Sequence, residues 1–315
     1  MKHILTTLAF GLIATPVLAQ DRLTVMLDWF VNPDHGPIIL AEEMGYFADA
    51  GLEVEIVTPA DPNDPPRMAA AGRVDLAVTY QPELHLNRRE GLDLVRVGTL
   101  IETPLTCLVV RADGPVQSLG DLAGRKVGFA VAGVQEMLLT AMLDHNGLSD
   151  DDVEQINIGW SISPALMSGQ VDGVIGAFRN FELNQMEIEG HEGRCFYPEA
   201  EGVPSYDELI YVARADGLDR DPIARFLLAT ERATADILND PEAAGERFFA
   251  TSAELRNELN TRAWGDTWPR FATRPAAVDQ GRYDRFEAFL VAQGAVKTAI
   301  PAADLVVDVT AQVAQ

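Results

Sequence analysis

Hydrophobic and polar residues alternate over Leu52-Glu-Val-Glu-Ile-Val57, the period of a half-buried strand. Ahead of it, Ile38, Ile39, Leu40, Ala41 and Met44 supply the apolar face of a helix that Gly36-Pro37 opens and Gly45 closes. Apolar runs at residues 23–27, 74–78, 105–110, 127–131, 171–177 and 209–213 predict buried strands, with a shorter strand at 156–158. A turn at 61–66 leads into a short helix reaching Ala71. The loop 132–136 opens a helix through Leu143, and 164–167 forms another short one. Beyond Asp221 the period turns helical, most clearly at 222–238, 241–249 and 283–293.

Two stretches answer each other: Ala71-Gly-Arg-Val-Asp-Leu-Ala-Val-Thr-Tyr-Gln81 and Met167-Ser-Gly-Gln-Val-Asp-Gly-Val-Ile-Gly-Ala-Phe178. In each, Gly ends a helix, Val-Asp turns into a strand, and the exit loop carries aromatic or polar residues. The chain is therefore predicted to be α/β, with two doubly wound lobes around a ligand cleft, since ligands bind at the C-terminal strand ends of such sheets. Arg111-Ala-Asp-Gly-Pro115 is read as the crossing between lobes, and the strand at 209–213, followed by a second Arg-Ala-Asp-Gly, as the return. This assigns 20–110 and 214–315 to the first lobe and 111–213 to the second. The helical tail is expected to pack back on the first lobe.

Residues 1–19 read as a signal peptide, with a cation at Lys2, an apolar run from Ile4 to Ala14 and a Val17-Leu-Ala19 cleavage site. The run is shorter than the roughly 18 residues of a membrane span. No cysteine follows the cleavage site, so there is no lipobox, and a free periplasmic protein is expected. The chain carries 24 Lys and Arg against 48 Asp and Glu, a formal net charge of −24. Such acidity repels phosphate backbones, which argues against a nucleic-acid partner. Cys107 and Cys195 are the two cysteines; an exported protein permits a disulfide between them, and two buried thiols fit the sequence equally. The five histidines lack metal-ligand spacing, and neither a Gly-x-Gly-x-x-Gly nor a P-loop is present, so no metal or cofactor is expected.

Leu27-Asp-Trp-Phe-x-Asn-Pro-Asp-His35, Ala41-Glu-Glu-Met-Gly-Tyr-Phe, Gly72-x-Val-Asp75 and Gly176-Ala-Phe-x-Asn-x-Glu182 together resemble the thiamine-pyrimidine-precursor family. That family includes bacterial ThiY-type substrate-binding proteins of ABC transporters and the fungal thiamine pyrimidine synthase. The Gly-Tyr-Phe and Gly-x-Val-Asp pieces are shared with sulfonate, taurine and nitrate binders; the Asp-Trp loop and Asn-x-Glu are narrower. The resemblance implies a type 2 periplasmic binding protein-like fold. It further implies capture of an aminopyrimidine, of the formylaminopyrimidine or hydroxymethylpyrimidine type, for uptake and thiamine salvage through an ABC permease and ATPase.

A flat heteroaromatic ring with an exocyclic amine calls for aromatic faces and for polar groups at its rim. Trp29, Tyr80 and Phe178 are the candidate faces, and Asn32, His35, Gln81, Asn180 and Glu182 the candidate polar ligands. Asp28 is read as capping a turn, and for His35 a structural hydrogen bond competes with ligand contact. A sulfonate, taurine or nitrate-like anion is the alternative ligand, with Arg179 and Ser161-Ile-Ser163 as its possible holders. A synthase is the remaining alternative. The family's cofactor-holding Lys and its His fall at Thr79 and Glu83, and a Schiff base needs an amine, so the chain is read as no enzyme.

Overall fold

The computed structural model describes residues 20–311, so the reading of 1–19 as a signal peptide lies outside the described residues. Two five-stranded mixed sheets are built on one plan. The first lobe opens with β1 (Asp21–Met26), α1 (Gly36–Glu43), α2 (Tyr46–Asp49), β2 (Leu52–Val57), α3 (Pro65–Ala70), β3 (Leu76–Thr79), α4 (Gln81–Arg89) and β4 (Leu94–Ile101). The second comprises β5 (Thr106–Arg111), β6 (Arg125–Phe129), α5 (Val134–His145), β7 (Val153–Asn157), α6 (Ile162–Met167), β8 (Gly173–Phe178), α7 (Glu182–Ile188) and β9 (Gly193–Phe196). β10 (Leu209–Arg214) returns to the first sheet, followed by α8 (Arg220–Asn239), α9 (Pro241–Ala250), α10 (Glu258–Thr267), α11 (Gln280–Ala292) and α12 (Ala302–Leu305).

Strand order is β2-β1-β3-β10-β4 in one sheet and β7-β6-β8-β5-β9 in the other. Each has three parallel strands, then an antiparallel strand delivered by the other lobe's chain, then an edge strand. The echoed Val-Asp has one structural role in both. Asp75 Oδ2 accepts the Thr24 amide at 2.7 Å, and Asp172 Oδ2 accepts the Lys126 amide at 3.1 Å. Each carboxylate thus clips the strand it opens to its parallel neighbour. Gly72 and Gly169 take φ of 64° and 75°, the left-handed conformation that ends the preceding helix.

The crossings differ from those read in the sequence. The sequence pattern assigns 105–110 to the first lobe and 209–213 to the second, yet β5 pairs with β8 and β9, and β10 with β3 and β4. The chain therefore crosses just before each of these strands, not at Arg111–Pro115. An apolar run marks a strand without saying which sheet receives it. Glu208 ties the two crossing segments: Oε2 accepts the amides of Leu105 (2.5 Å) and Thr106 (2.8 Å), and Oε1 the Thr106 hydroxyl (2.9 Å).

Cys107 on β5 and Cys195 on β9 form a disulfide with Cα atoms 5.6 Å apart, resolving the choice between bridge and thiols. The tail touches both lobes. α8 lies on α1 and α2, with Phe226 stacked on Phe47 at 5.1 Å. α10 reaches α7 instead: Arg262 pairs with Glu187 at 3.1 Å, and Asn184 donates to Asp266 at 2.8 Å. Among the described residues no helix is long and apolar enough to cross a membrane.

Candidate functional site

The exit of β1 builds the first wall. Asp28 is buried, and its oxygens are fixed from two sides: His35 Nε2 lies 2.9 Å from Oδ1, and the Tyr80 hydroxyl donates to Oδ2 at 3.0 Å. His35 Nδ1 accepts the Asn32 amide at 3.3 Å, which leaves its Nε2 as the donor to Asp28. Asn32 caps the turn Pro33–His35 by accepting the Asp34 amide at 2.8 Å. Asp28 is thus a buried anchor for Tyr80 and His35, not the turn cap read from sequence. Burial raises the Tyr80 phenol well above its ordinary range, so it stays a donor.

The second lobe supplies the opposite wall from β8, α5 and α7. Register between β5 and β8 shifts at Cys107/Leu108, and the residue left over on β8 is Gly176, with φ 93°. A Cβ at Gly176 would lie 2.1 Å from Gln135 Nε2, so glycine serves both the bulge and the side chain packed on it. Gln135 Oε1 accepts the amides of Ala130 (2.7 Å) and Val131 (3.1 Å), leaving Nε2 to face the cavity that the residue lines.

Glu182, the first residue of α7, is buried and accepts the Phe178 amide on Oε2 at 2.6 Å. Burial, reinforced by the Asp34 charge, raises its pKa to about 8 despite that hydrogen bond. Asp34 rises to about 6, again chiefly by burial, although His35, Asn180 and Thr267 all oppose the shift. Glu182 is therefore a neutral acid at pH 7, able to donate through one oxygen and accept through the other.

Between these walls lies a cavity of about 30 Å³, lined by Asp28, Trp29, Asn32, Asp34, Tyr80, Gln135, Gly176, Phe178 and Glu182 together with Ile162 and Phe181. That is room for about two waters. It shares Trp29, Ile162, Phe181 and Glu182 as lining with an outer cavity of about 780 Å³. Among the described residues no Lys or Arg lines the inner cavity, whereas three carboxyl groups do. Tyr80 and Phe178, one from each lobe, meet edge to face with centroids 6.3 Å apart.

Five of the eight expected residues line this space: Trp29, Asn32, Tyr80, Phe178 and Glu182. Three do not. His35 stands behind Asp28. Gln81 sits at the crossing, where Oε1 accepts the Asp207 amide at 2.8 Å. Asn180 joins the lobes by donating to Asp34 (2.6 Å) and to the Thr267 hydroxyl (2.6 Å). Each is fully buried and committed to a neighbour. Asp34, Gln135 and Gly176 also line the cavity, beyond the residues the sequence nominates. Gly176 stood inside a quoted motif, and its position in an otherwise apolar strand was the available signal of a bulge.

Arg179 does not serve as an anion holder: it is bidentate to Glu199 (2.6 and 3.0 Å), donates to the Leu105 and Thr106 carbonyls, and lies 4.1 Å over the Tyr197 ring. Thr79 donates to Glu83, and both are buried. The described residues include two of the chain's three lysines, Lys126 and Lys297, and neither lines either cavity.

Residues 32–244 match the family model described as NMT1/THI5 like. A Haemophilus influenzae protein named "Putative thiamine biosynthesis protein" is 46% identical over 313 residues, covering 98% of this chain and 100% of its own. The "Formylaminopyrimidine-binding protein" of Halalkalibacterium halodurans is 33% identical over 228 residues, 72% of this chain and 69% of its own. At greater distance, a Saccharomyces cerevisiae 4-amino-5-hydroxymethyl-2-methylpyrimidine phosphate synthase is 23% identical over 271 residues, covering 81% of this chain and 78% of its own. Among solved structures, the alkanesulfonate-binding protein SsuA of Xanthomonas axonopodis pv. citri superposes with a TM-score of 0.72 at 16% identity, covering 92% of this chain and 98% of that one. The last likeness establishes the periplasmic binding protein fold.

Proposed function

The chain belongs to the NMT1/THI5-like family, and from that premise we propose that it is a periplasmic solute-binding protein that holds a thiamine-related aminopyrimidine between its lobes for an ABC permease and ATPase. The observation that carries the reading is Glu182, a buried neutral acid facing a cavity walled by Trp29, Tyr80 and Phe178. An aminopyrimidine edge presents a ring-nitrogen acceptor beside an amine donor. A carboxylic acid presents the complementary donor and acceptor. The rings supply the faces, and Gln135 Nε2 offers a further donor.

Because the inner cavity is smaller than a pyrimidine ring, binding requires the lobes or their side chains to part and close again. Asn180 to Asp34 and the Ala132 amide to Asn63 Oδ1 (2.8 Å) are contacts that such opening breaks. Ligand shifts this equilibrium by touching both lobes, which it does only in the closed form.

Anion binding fits less well. A sulfonate or nitrate would enter among Asp28, Asp34 and Glu182, with no cation in the lining. Synthase chemistry lacks its amine nucleophile at Thr79 and throughout both cavities. Calorimetry on the purified protein with N-formyl-4-amino-5-aminomethyl-2-methylpyrimidine, the 5-hydroxymethyl analogue, taurine and nitrate tests the proposal. Saturable pyrimidine binding that weakens markedly in Glu182→Leu is expected. Binding of taurine or nitrate with indifference to that change would overturn it.

A further inference from the structure

The outer cavity is far larger than the route into a 30 Å³ pocket requires, at about 780 Å³, and falls in the range of sites that hold whole ligands. Its walls are unusual in two respects. Trp29 and Phe30 of the first lobe meet Trp160 of the second, with centroids 4.2 Å (Trp29 to Trp160) and 6.3 Å (Phe30 to Trp160) apart. Phe30 and Trp160 nonetheless remain 47% and 39% exposed. Aromatic rings left open at the rim of a cavity have π-faces available for a guest.

The second respect is charge. Glu254, at the turn beyond α9, lines the same cavity, and its carboxylate has neither an ion pair nor a hydrogen bond among the described residues. Its neighbour Arg256 is turned to Glu246 at 3.2 Å. Among the described residues no Lys or Arg lines the cavity. Ser163 on α6 also borders it, with a buried Oγ that has no hydrogen-bond partner among the described residues. Open aromatic faces and an unpaired carboxylate lining one cavity are what a cationic aromatic group selects.

Resting on the aminopyrimidine reading of the inner pocket, we propose that the outer cavity is a second subsite, for a positively charged ring joined to the pyrimidine. The two cavities share Trp29, Ile162, Phe181 and Glu182 as lining. A substituent leaving the inner ring thus passes directly into the outer space. The substrate class so defined is a two-ring, cationic aminopyrimidine. Trp29, Phe30 and Trp160 cover the charged ring, and Glu254 neutralises it.

Calorimetry separates the subsites with three probes. They are 4-amino-5-hydroxymethyl-2-methylpyrimidine, thiamine as the quaternary two-ring compound, and 4-amino-5-benzyl-2-methylpyrimidine as its neutral counterpart. Thiamine is expected to bind more tightly than the other two, and Trp160→Ala or Glu254→Gln to weaken thiamine by about tenfold while leaving the hydroxymethyl compound within about twofold. Equal affinity of thiamine and the benzyl compound overturns the role of charge. Thiamine binding that is absent, or indifferent to both substitutions, overturns the subsite while the inner-pocket reading stands. Failure of all three probes instead removes the reading on which it rests. Both substitutions fall on exposed side chains, so unchanged thermal unfolding shows that the variants are folded.

Discussion

Glu182 is where one proton decides affinity. A group whose pKa burial lifts to about 8 is a donor below that value and a bare acceptor above it. Aminopyrimidine affinity is therefore expected to fall as pH rises through about 8, measured by calorimetry at pH 6.5, 7.5 and 9. Glu182→Gln keeps one donor and one acceptor, so it should hold affinity within about tenfold and flatten the profile, whereas Glu182→Leu should cost about 1–3 kcal/mol. A flat profile in the native protein would contradict the neutral-acid role. Gly176→Ala acts through geometry: a φ of 93° in a non-glycine residue costs about 1–2 kcal/mol, and the added Cβ collides with the Gln135 amide. Denaturant melts should show the loss of stability, and titration a weaker ligand. At this scale the sequence is informative up to a limit. It places Tyr80, Gln81, Phe178 and Glu182 at strand exits, which are the right neighbourhoods. It cannot distinguish a side chain that faces a cavity from one that holds its neighbour, because Tyr80 lines the pocket while Gln81, one residue on, bonds Asp207.

At the scale of elements, the clearest testable link is the bridge between β5 and β9. Cys107 and Cys195 are 88 residues apart in sequence, and β9 is an edge strand held on one side by β5. Breaking the bridge in a Cys107→Ala/Cys195→Ala variant is expected to lower unfolding free energy by about 2–5 kcal/mol. The native protein with reductant should approach the same value, and an unchanged melting curve in both would show that β9 needs no staple. The elements legible beforehand were those with a clean period: β2 occupies the predicted alternation, and α8, α9 and α11 the predicted helical segments to within a few residues. α4 and β4 were missed because polar side chains occupy their cores. In α4 the buried Gln81, Glu83, His85 and Asn87 break the apolar pattern, while Thr79 and Glu287 satisfy Glu83 and His85. In β4 the buried Arg96 donates to the Thr99 hydroxyl at 2.7 Å and to the Pro275 carbonyl at 3.1 Å. Periodicity sees a charge and infers surface; tertiary partners put it inside. α7 and β9 are short, with seven and four residues respectively, too few to show a period against the background.

The whole molecule couples these buried acids to stability. Burial raises Asp34 to about 6, Glu83 and Glu208 to about 7, and Glu182 to about 8, while in the unfolded chain each ionises near about 4. Between those limits the folded protein binds more protons than the unfolded chain, so the slope of unfolding free energy with pH is negative. Stability from these four groups is fully present below about pH 4 and is lost as pH rises through 6 to 8. Two buried groups work in the opposite sense. Burial lowers His85, so the unfolded chain takes up that proton first, and this stability is lost as pH falls below about 6.5. Glu287 is buried too, yet hydrogen bonds from His85 and Arg89 hold it down to about 2, and its stability is lost only as pH falls from about 4 through 2. Above about pH 6.5 the histidine no longer opposes the acids, so thermal stability should decline from pH 6.5 to 8.5, and unfolding should release protons throughout that window. Scanning calorimetry in buffers of different ionisation enthalpy measures both. A melting temperature that rises over the window would mean these carboxyls are ionised in the fold. Saturating ligand should then raise the melting temperature more at pH 6.5 than at 8.5, because the proton that Glu182 keeps is the one its partner needs.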